Sequence, residues 1–273
     1  KQLPAPTRTQ CRRDSIAATS GSGPEILSRL ARRFAKAVGI VPGAAFFLGL
    51  SQMGGLSADV TVSNLNDPER VPFVGITDVP AAGTIGIDAG LAGQTIPHSS
   101  APLLHKSLTI EATGLAGGDK LSDGGATRVI RANAGRNVTL RTLTLMNGNG
   151  NGASENGFGG ALYNAGTAVV DRCTFAVNSA ANYGGGIFNA LNADLTVTGT
   201  TFTGNSAGLY GAGISNSSGL LLTGSTFNSN NAGFEGGGVY SDFSSTLTIN
   251  NSTFTANSAA FYGGAVFNGS PRF

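Results

Sequence analysis

From Leu108 onwards the chain repeats one pattern of apolar and polar residues. Two apolar residues stand two positions apart, and a phenylalanine or leucine follows five positions after the second one. Because the side chains of a strand point alternately to its two faces, apolar residues two apart predict β-strands rather than helices. The pattern occurs six times: Leu108, Ile110, Leu115; Val138, Leu140, Leu145; Ala168, Val170, Phe175; Leu195, Val197, Phe202; Leu220, Leu222, Phe227; and Leu247, Ile249, Phe254.

Two kinds of block alternate in this region and set the length of the repeat. Glycine blocks begin at Gly159, Gly184, Gly211, Gly236 and Gly263. The other blocks are Phe175 to Asn178, Phe202 to Asn205, Phe227 to Asn230 and Phe254 to Asn257, with successive copies 27, 25 and 27 residues apart. A period of this size predicts a solenoid in which each strand pairs with its equivalent in the next coil. The sequence therefore predicts an all-β fold, a parallel β-helix of about six coils.

These blocks resemble the GGA(I/L/V) and FxxN repeats of the polymorphic outer membrane proteins, which are bacterial surface autotransporters built on right-handed β-helices. The resemblance covers roughly residues 105–273. It implies a right-handed β-helix that is secreted or displayed at the cell surface, in the outer membrane, as an adhesive passenger or an extracellular scaffold. The implied partner is a protein or glycan on a host or neighbouring cell. Members of the family end in a membrane translocator, and this chain ends within a repeat, so truncation at the C-terminus is expected.

Residues 1–58 are predicted to form a leader, with a signal peptide at 28–58. Basic residues precede an apolar stretch from Ala37 to Leu50, and Ser57 and Ala58 supply small residues before Asp59. Such a sequence is typical of a secretory signal. A transit peptide is the alternative, which the arginines and serines favour.

Residues 59–107 are predicted to be an N-terminal cap ahead of the repeats at 108–273. Val60, Ile85 and Ile96 indicate short strands here, interrupted by a proline-rich stretch. A solenoid needs an atypical end, because an open coil would leave strand edges unpaired.

Charge and cysteine content narrow the classes of function. Eight of the seventeen basic residues precede residue 59, and residues 59–273 have nine basic and thirteen acidic side chains, a net charge of −4. This balance does not favour a nucleic-acid partner. Cys173 stands at a position that Thr200, Ser225 and Ser252 occupy in other repeats, so it is predicted to be a small corner residue rather than a reactive thiol. No cofactor, metal site or disulfide is predicted.

Side chains at equivalent positions are expected to form columns along the helix axis. Arg141 should lie between Glu111 and Asp171 in an outward column. The repeat phenylalanines at 175, 202, 227 and 254 should stack in the core. The asparagines that follow them should take a left-handed backbone conformation at a turn and bond to the copies above and below.

A row of aromatic residues is the candidate binding site. Phe158, Tyr183, Tyr210, Glu235 and Tyr262 align just before the glycine clusters, and Phe234 and Phe261 come one residue before this row. An exposed aromatic row suits a sugar or a partner protein. The predicted ligand platform consists of Phe158, Tyr183, Tyr210, Phe234 and Tyr262. The alternative is that the rings only cover a corner of the coil. Tyr163, Phe188, Tyr240 and Phe267, interrupted by Ser215, form a second row that alternation places on the outer face.

The main alternative function is a polysaccharide lyase or hydrolase of the pectate lyase-like β-helix type. Such enzymes need clustered carboxylates. In the aligned repeats, no two of the carboxylates share a column; these are Glu155, Asp171, Asp194, Glu235 and Asp242. The two histidines, His98 and His105, precede the regular coils. No catalytic residue is therefore predicted. The arginines at 128, 131, 136 and 141 are expected to form a solvated edge.

A minor alternative is a protein that binds ice or another surface through threonine arrays. Thr196 and Thr198 would both point outward from one strand. Residues such as Leu221 and Asp171 interrupt both of these columns.

Overall fold

The computed structural model describes residues 60–62, 83–87, 94–97, 103–104, 106–112, 119–122, 124–150 and 155–269. The predicted leader and its signal peptide lie outside these residues. The described residues form 26 strands, numbered β1 to β26 in chain order, and contain no helix. All strands pair in parallel, and they form four sheets that run along one solenoid axis. This is the parallel β-helix that the repeat pattern predicts.

From Thr167 onwards each coil contributes one strand to each of the four sheets in turn, and the described strands before Thr167 belong to sheets 1, 2 and 4. Sheet 1 contains β1 (Val60–Val62), β2 (Thr84–Ile87), β5 (Leu108–Ala112), β8 (Asn137–Arg141), β11 (Thr167–Asp171), β15 (Asp194–Thr198), β19 (Gly219–Thr223) and β23 (Thr246–Asn250). Sheet 2 contains β3 (Thr95–Pro97), β6 (Asp119–Ser122), β9 (Leu143–Met146), β12 (Thr174–Ala176), β16 (Thr201–Thr203), β20 (Thr226–Asn228) and β24 (Thr253–Thr255).

The remaining two sheets complete the coil. Sheet 3 consists of two-residue strands, namely β13 (Ser179–Ala180), β17 (Ser206–Ala207), β21 (Asn231–Ala232) and β25 (Ser258–Ala259). Sheet 4 contains β4 (Leu103–Leu104), β7 (Ile130–Ala132), β10 (Leu162–Asn164), β14 (Ile187–Asn189), β18 (Ile214–Asn216), β22 (Val239–Ser241) and β26 (Val266–Asn268).

The predicted strand register is confirmed except at the end of the first repeat. There Leu121, and not the predicted Leu115, pairs with Leu145, and Leu115 lies outside the described residues. Leu195 pairs with Leu220, and Leu220 pairs with Leu247 in sheet 1. In sheet 1, the six strands β5, β8, β11, β15, β19 and β23 correspond to the six predicted repeats. Strands β2 and β1 extend the same sheet into the lead-in. The lead-in strands thus continue the solenoid.

The core contains the predicted phenylalanine column. Phe175, Phe202 and Phe227 are fully buried, and Phe254 packs against them in the last coil. Successive ring centroids are 4.9, 4.5 and 4.8 Å apart, with nearly parallel planes. These distances match the spacing of adjacent strands, because one ring stands on each coil.

The glycine blocks and the phenylalanine column contact each other across coils. The first glycine of each block has a positive φ, for example 68° at Gly184, which a side chain would strain. A Cβ placed on Gly186 would come within 3.1 Å of the Phe202 ring. The third residue of every glycine block is glycine or alanine, and these small residues leave space for the ring stack.

The predicted asparagine ladder is present, but its backbone conformation differs from the prediction. Asn178 donates from its backbone N and its Nδ2 to Asn205 Oδ1, each at 3.0 Å. Asn205 is bonded in the same way to Asn230. The left-handed residue is the one before each asparagine, for example Val177 with a φ of 55°. The expectation of left-handed asparagines was therefore wrong, because an asparagine that extends inward bonds to its neighbours and the preceding exposed residue makes the turn.

The corner between sheets 1 and 2 also has the predicted composition. Backbone N of Cys173 donates to Thr200 Oγ1 at 3.2 Å, and backbone N of Thr200 donates to Ser225 Oγ at 3.2 Å. Cys173 is buried, and burial raises the pKa of its thiol to about 12. A thiol with this pKa is protonated near neutral pH, as expected of a structural residue.

The predicted charge ladder on sheet 1 is confirmed. An Nη1 to Oε2 distance of 3.9 Å separates Arg141 from Glu111, and an Nε to Oδ2 distance of 4.0 Å separates Arg141 from Asp171. Arg141 therefore points outward between carboxylates of adjacent coils.

Candidate functional site

The candidate site is an aromatic surface on the outer side of sheet 4 and of the corner before it. The corner row consists of Phe158, Tyr183, Tyr210, Glu235 and Tyr262, which are joined in this order by isolated parallel bridges. The strand row consists of Tyr163, Phe188, Ser215, Tyr240 and Phe267, which are in register in sheet 4. Together with Phe234 and Phe261 these rows form what we call the outer aromatic surface.

The rings of the corner row stack along the solenoid axis. Phe158 and Tyr183 have centroids 4.9 Å apart with planes 9° apart. Tyr183 and Tyr210 follow at 5.2 Å and 22°. Tyr183 consequently has a neighbouring ring on both faces, and its edge is the part that a ligand can reach. A sugar that stacks flat on ring faces would find those faces covered at the centre of the row.

The strand row lies beneath the corner row. Phe188 contacts Phe158 edge-on at 4.9 Å, and Tyr240 lies 4.6 Å from Tyr210. Phe188 and Tyr240 are each only 8% exposed. The prediction that this row points away from the core is confirmed, because Ile187 and Val239 are in the core cluster and their neighbours are not. The corner row nevertheless covers it.

The rings of the outer aromatic surface differ in exposure. Phe158, Tyr183, Tyr210 and Phe234 are partly buried. Phe261 is 63% exposed and Tyr262 is 64% exposed. Phe261 stacks on Phe234 with centroids 4.4 Å apart. The five residues proposed as a platform from sequence, Phe158, Tyr183, Tyr210, Phe234 and Tyr262, thus lie on one side of the solenoid.

Two polar residues interrupt the rings. Ser215 replaces an aromatic residue in the strand row, is fully buried, and has an Oγ without a hydrogen-bond partner. Glu235 replaces an aromatic residue in the corner row, and burial raises the pKa of its carboxyl group. Burial and then the charge of Asp242 raise the pKa of Tyr240 to about 12. Burial and then Glu235 raise the pKa of Tyr210.

A model of the right-handed β-helix region matches residues 129–272, more than half of the chain. The chain belongs to the right-handed β-helix family. The match includes every residue of the outer aromatic surface. A comparison with curated proteins finds no match. Within the described residues, no helix has both the length and the apolar composition needed to cross a membrane.

A buried arginine positions the first ring of the corner row in this right-handed β-helix. Arg128 is 1% exposed and donates from Nε to Gly159 O at 3.0 Å and from Nη2 to Glu155 O at 2.8 Å. Burial lowers its pKa to about 10. The expectation of a solvated arginine edge was wrong for Arg128, because the backbone carbonyls of the turn that precedes Phe158 surround its guanidinium group.

Arg131 and Tyr163 complete this arrangement. Arg131 forms an ion pair with Glu155, with Nη2 and Oε1 2.7 Å apart, and it donates a further hydrogen bond to Asn133. The Tyr163 ring lies 5.1 Å from the Arg128 guanidinium carbon and 5.3 Å from that of Arg131. The two arginines therefore brace the turn at 155–159 rather than forming an open anion site.

Two of the carboxylates of the repeats lie beside arginines, and two others lie near tyrosines. Glu155 is paired with Arg131, and Asp171 lies near Arg141 and 3.0 Å from Arg172. Glu235 and Asp242 are near the tyrosines of the outer aromatic surface. In the part of the chain that the structure describes, no three His, Cys, Asp or Glu side chains are grouped to hold a metal ion.

Two regular columns were not found by sequence reasoning. A second asparagine ladder runs inside sheet 4, where Asn164 Nδ2 donates to Asn189 Oδ1 and Asn189 Nδ2 donates to Asn216 Oδ1, each at 2.8 Å. A threonine column runs along the outer face of sheet 2 through Thr144, Thr174, Thr201, Thr226 and Thr253. The signals were an Asn five residues after the first glycine of four of the five glycine blocks, with Ser241 at this position in the other, and the Thr before each core phenylalanine.

Proposed function

We propose that this protein is a secreted or cell-surface β-helix passenger that acts in adhesion or as an extracellular binding scaffold. We assign ligand binding to the outer aromatic surface. The observation behind the proposal is the continuity of this surface, which extends through five successive coils from Phe158 to Tyr262. Exposed aromatic patches on a rigid frame are typical of protein interaction sites.

The chemistry of the surface suits binding. Tyrosine combines a large apolar ring with a hydroxyl group that forms hydrogen bonds, and it loses little conformational entropy when it is held. Tyr183 and Tyr210 are already fixed by stacking, so a ligand would not have to order them. The expected partner is a protein or glycan on a host or neighbouring cell.

The resemblance to polymorphic outer membrane proteins supports the surface location. It rests on the glycine blocks and the FxxN blocks, which alternate in the sequence. We propose export by the basic and apolar segment at 28–58 on the same grounds.

The environments of the carboxylates favour a scaffold over a polysaccharide lyase or hydrolase. Glycosidases and lyases use carboxylates that face one another across a substrate or share a calcium ion. Here Glu155 and Asp171 lie beside arginines on different parts of the coil, and Glu235 lies in an aromatic row.

The double variant Tyr183→Ala and Tyr210→Ala tests the proposal. We expect binding of the purified protein to intact cells to fall at least about tenfold, because the centre of the row is removed. The control is Thr196→Ala with Thr248→Ala, an outward pair on sheet 1. Equal binding by both double variants, with unchanged circular dichroism, would overturn the assignment.

The threonine column on sheet 2 supports a second candidate, binding to ice or another ordered surface. Its five threonines stand on successive coils, so methyl and hydroxyl groups recur at the strand spacing. Thermal hysteresis of the wild type, reduced by Thr226→Leu, would support this candidate. The absence of hysteresis and of inhibition of ice recrystallisation would exclude ice as the surface.

A further inference from the structure

Asparagine stands directly before glycine at several turns of the solenoid. Within the described residues such pairs begin at Asn147, Asn149, Asn156 and Asn268. In an Asn-Gly pair the glycine has no side chain to hinder its backbone nitrogen, which can attack the carboxamide carbon of the asparagine. Ammonia leaves, and water then opens the cyclic imide to aspartate or isoaspartate. These pairs are therefore candidate sites of deamidation.

The fold holds the attacking nitrogen in these pairs. Gly150 N donates to Ser179 O at 2.7 Å, and Gly157 N donates to Gly150 O at 2.8 Å. Gly269 N donates to Ser241 O at 2.8 Å. An amide nitrogen that donates a hydrogen bond within the fold is fixed in place and keeps its proton, so these contacts oppose the attack.

The fourth pair, Asn147 and Gly148, is held by a side chain instead of a backbone carbonyl. Gly148 N donates to Asn178 Oδ1 at 2.8 Å. Asn178 is fully buried and belongs to the asparagine ladder, since its Nδ2 donates to Leu145 O and to Asn205 Oδ1. One side chain therefore determines whether the nitrogen of Gly148 is held.

Asn147 itself is placed for the reaction. It is exposed, so water reaches its carboxamide. Its φ of 55° lies in the left-handed region, which asparagine and aspartate adopt more readily than most residues, so the turn can also hold an aspartate product. The Nδ2 group donates to Ser122 Oγ at 3.4 Å, a long hydrogen bond that does little to retain the leaving nitrogen.

We propose that Asn147 is a latent deamidation site and that Asn178 keeps it unmodified while the coil is closed. When the coil opens, Gly148 N loses its proton to a base in the solvent and bonds to Asn147 Cγ, and the carboxamide nitrogen takes up a proton and leaves as ammonia. Addition of water to the imide completes the exchange of an amide for a carboxyl group. Local opening of the coil sets the rate.

The modification would make the opening permanent. Isoaspartate lengthens the main chain by one carbon at a corner where Gly148 has no room to move, because a Cβ built on it would overlap Gly160 O. Aspartate adds a negative charge to the same turn. The coil would thus record its own openings, and this inference is independent of ligand binding at the outer aromatic surface.

The test follows deamidation at each pair by peptide mapping with tandem mass spectrometry, during incubation at mildly alkaline pH. We expect Asn147 in the folded wild type to react at least about tenfold more slowly than in the protein unfolded in urea. Asn178→Ala should raise the rate at Asn147 in the folded protein at least about fivefold, because Gly148 N loses its acceptor. The rate at Asn149 should not change, since Gly150 keeps its bond to Ser179.

Asn230→Ala is the matched control. It removes the same kinds of contact two coils further on, to Asn205 N and to Phe202 O, and leaves Gly148 bound to Asn178. The rate at Asn147 should change less than about twofold. Equal acceleration by the two variants would overturn the role of Asn178. A folded wild type that reacts at Asn147 as fast as the unfolded protein would overturn the latent site, and this comparison holds even if Asn178→Ala does not fold.

Discussion

The phenylalanine column inside the solenoid and the corner row outside it are built by the same device and differ in their regularity. Both place rings at one position of successive coils, and both stack neighbouring rings about one strand spacing apart. Inside, the four repeat positions are all phenylalanine. Outside, Glu235 interrupts one row and Ser215 the other. In-register stacking therefore arises wherever rings recur, and the rows on the outside contain departures from uniformity that the inner column lacks.

The largest contrast between the two columns should appear when one ring is removed from each. Phe202→Ala removes a fully buried ring held between Phe175 and Phe227, and we expect it to lower the free energy of unfolding by about 3 to 5 kcal/mol. Tyr183→Ala should cost about 1 kcal/mol, because that ring is partly solvated already. Urea denaturation followed by circular dichroism measures both. Similar costs would mean that the outer rings also form a closed core.

The asparagine ladder extends the comparison of inside and outside to polar side chains, because it lies in the interior of the solenoid. Asn205→Ala leaves the backbone N of Asn178 and the carbonyl of Phe175 without their partners. We expect a loss of about 2 to 3 kcal/mol, since both groups are buried. The exposed Asn228 is the control, and its replacement by alanine should change stability by less than about 0.5 kcal/mol. The same denaturation assay compares the two, and equal losses would contradict the role of the ladder.

The outer rows contain an ionisable group that the inner column lacks. Burial raises the pKa of Tyr240 to about 12, so the folded state holds the phenolic proton more tightly than the unfolded state does. Its contribution to stability is present below about pH 10 and is lost as pH rises from about 10 to about 12. Tyr240→Phe should reduce this loss, as measured by urea midpoints below and above pH 10. Identical pH profiles for the two proteins would refute the burial of this hydroxyl.

The smallest effect is expected at Ser215. Its hydroxyl is fully buried and has no hydrogen-bond partner, so removing it eliminates a desolvation cost. Ser215→Ala should be neutral or should stabilise the protein by up to about 1 kcal/mol. A loss of more than about 1 kcal/mol in thermal unfolding would show that the hydroxyl is bonded.

The sequence was sufficient to predict the architecture where one residue type recurs at one spacing. Leu195, Leu220 and Leu247 show this, because apolar residues two apart can face the core in only one register. The backbone conformation of the corners could not be predicted in this way. Their left-handed residues include Val177, Gly204 and Ser229, which share no side-chain chemistry, so no residue pattern marks them.

The candidate site was predicted in position but not in geometry. Alignment placed Tyr183 beside Tyr210, but it could not show that the rings would cover each other's faces. Arg128 was missed for a physical reason. A guanidinium group is normally solvated, and its burial depends on carbonyl groups about thirty residues later in the chain, at Phe158 and Gly159.

The stacking of coils in chain order has a mechanical consequence. Each coil is bonded only to its two neighbours, so tension applied to the chain ends would detach coils one at a time rather than shear the whole protein. A repeat of 27 residues would release roughly 90 Å of extended chain. Single-molecule pulling should therefore give a series of similar small steps.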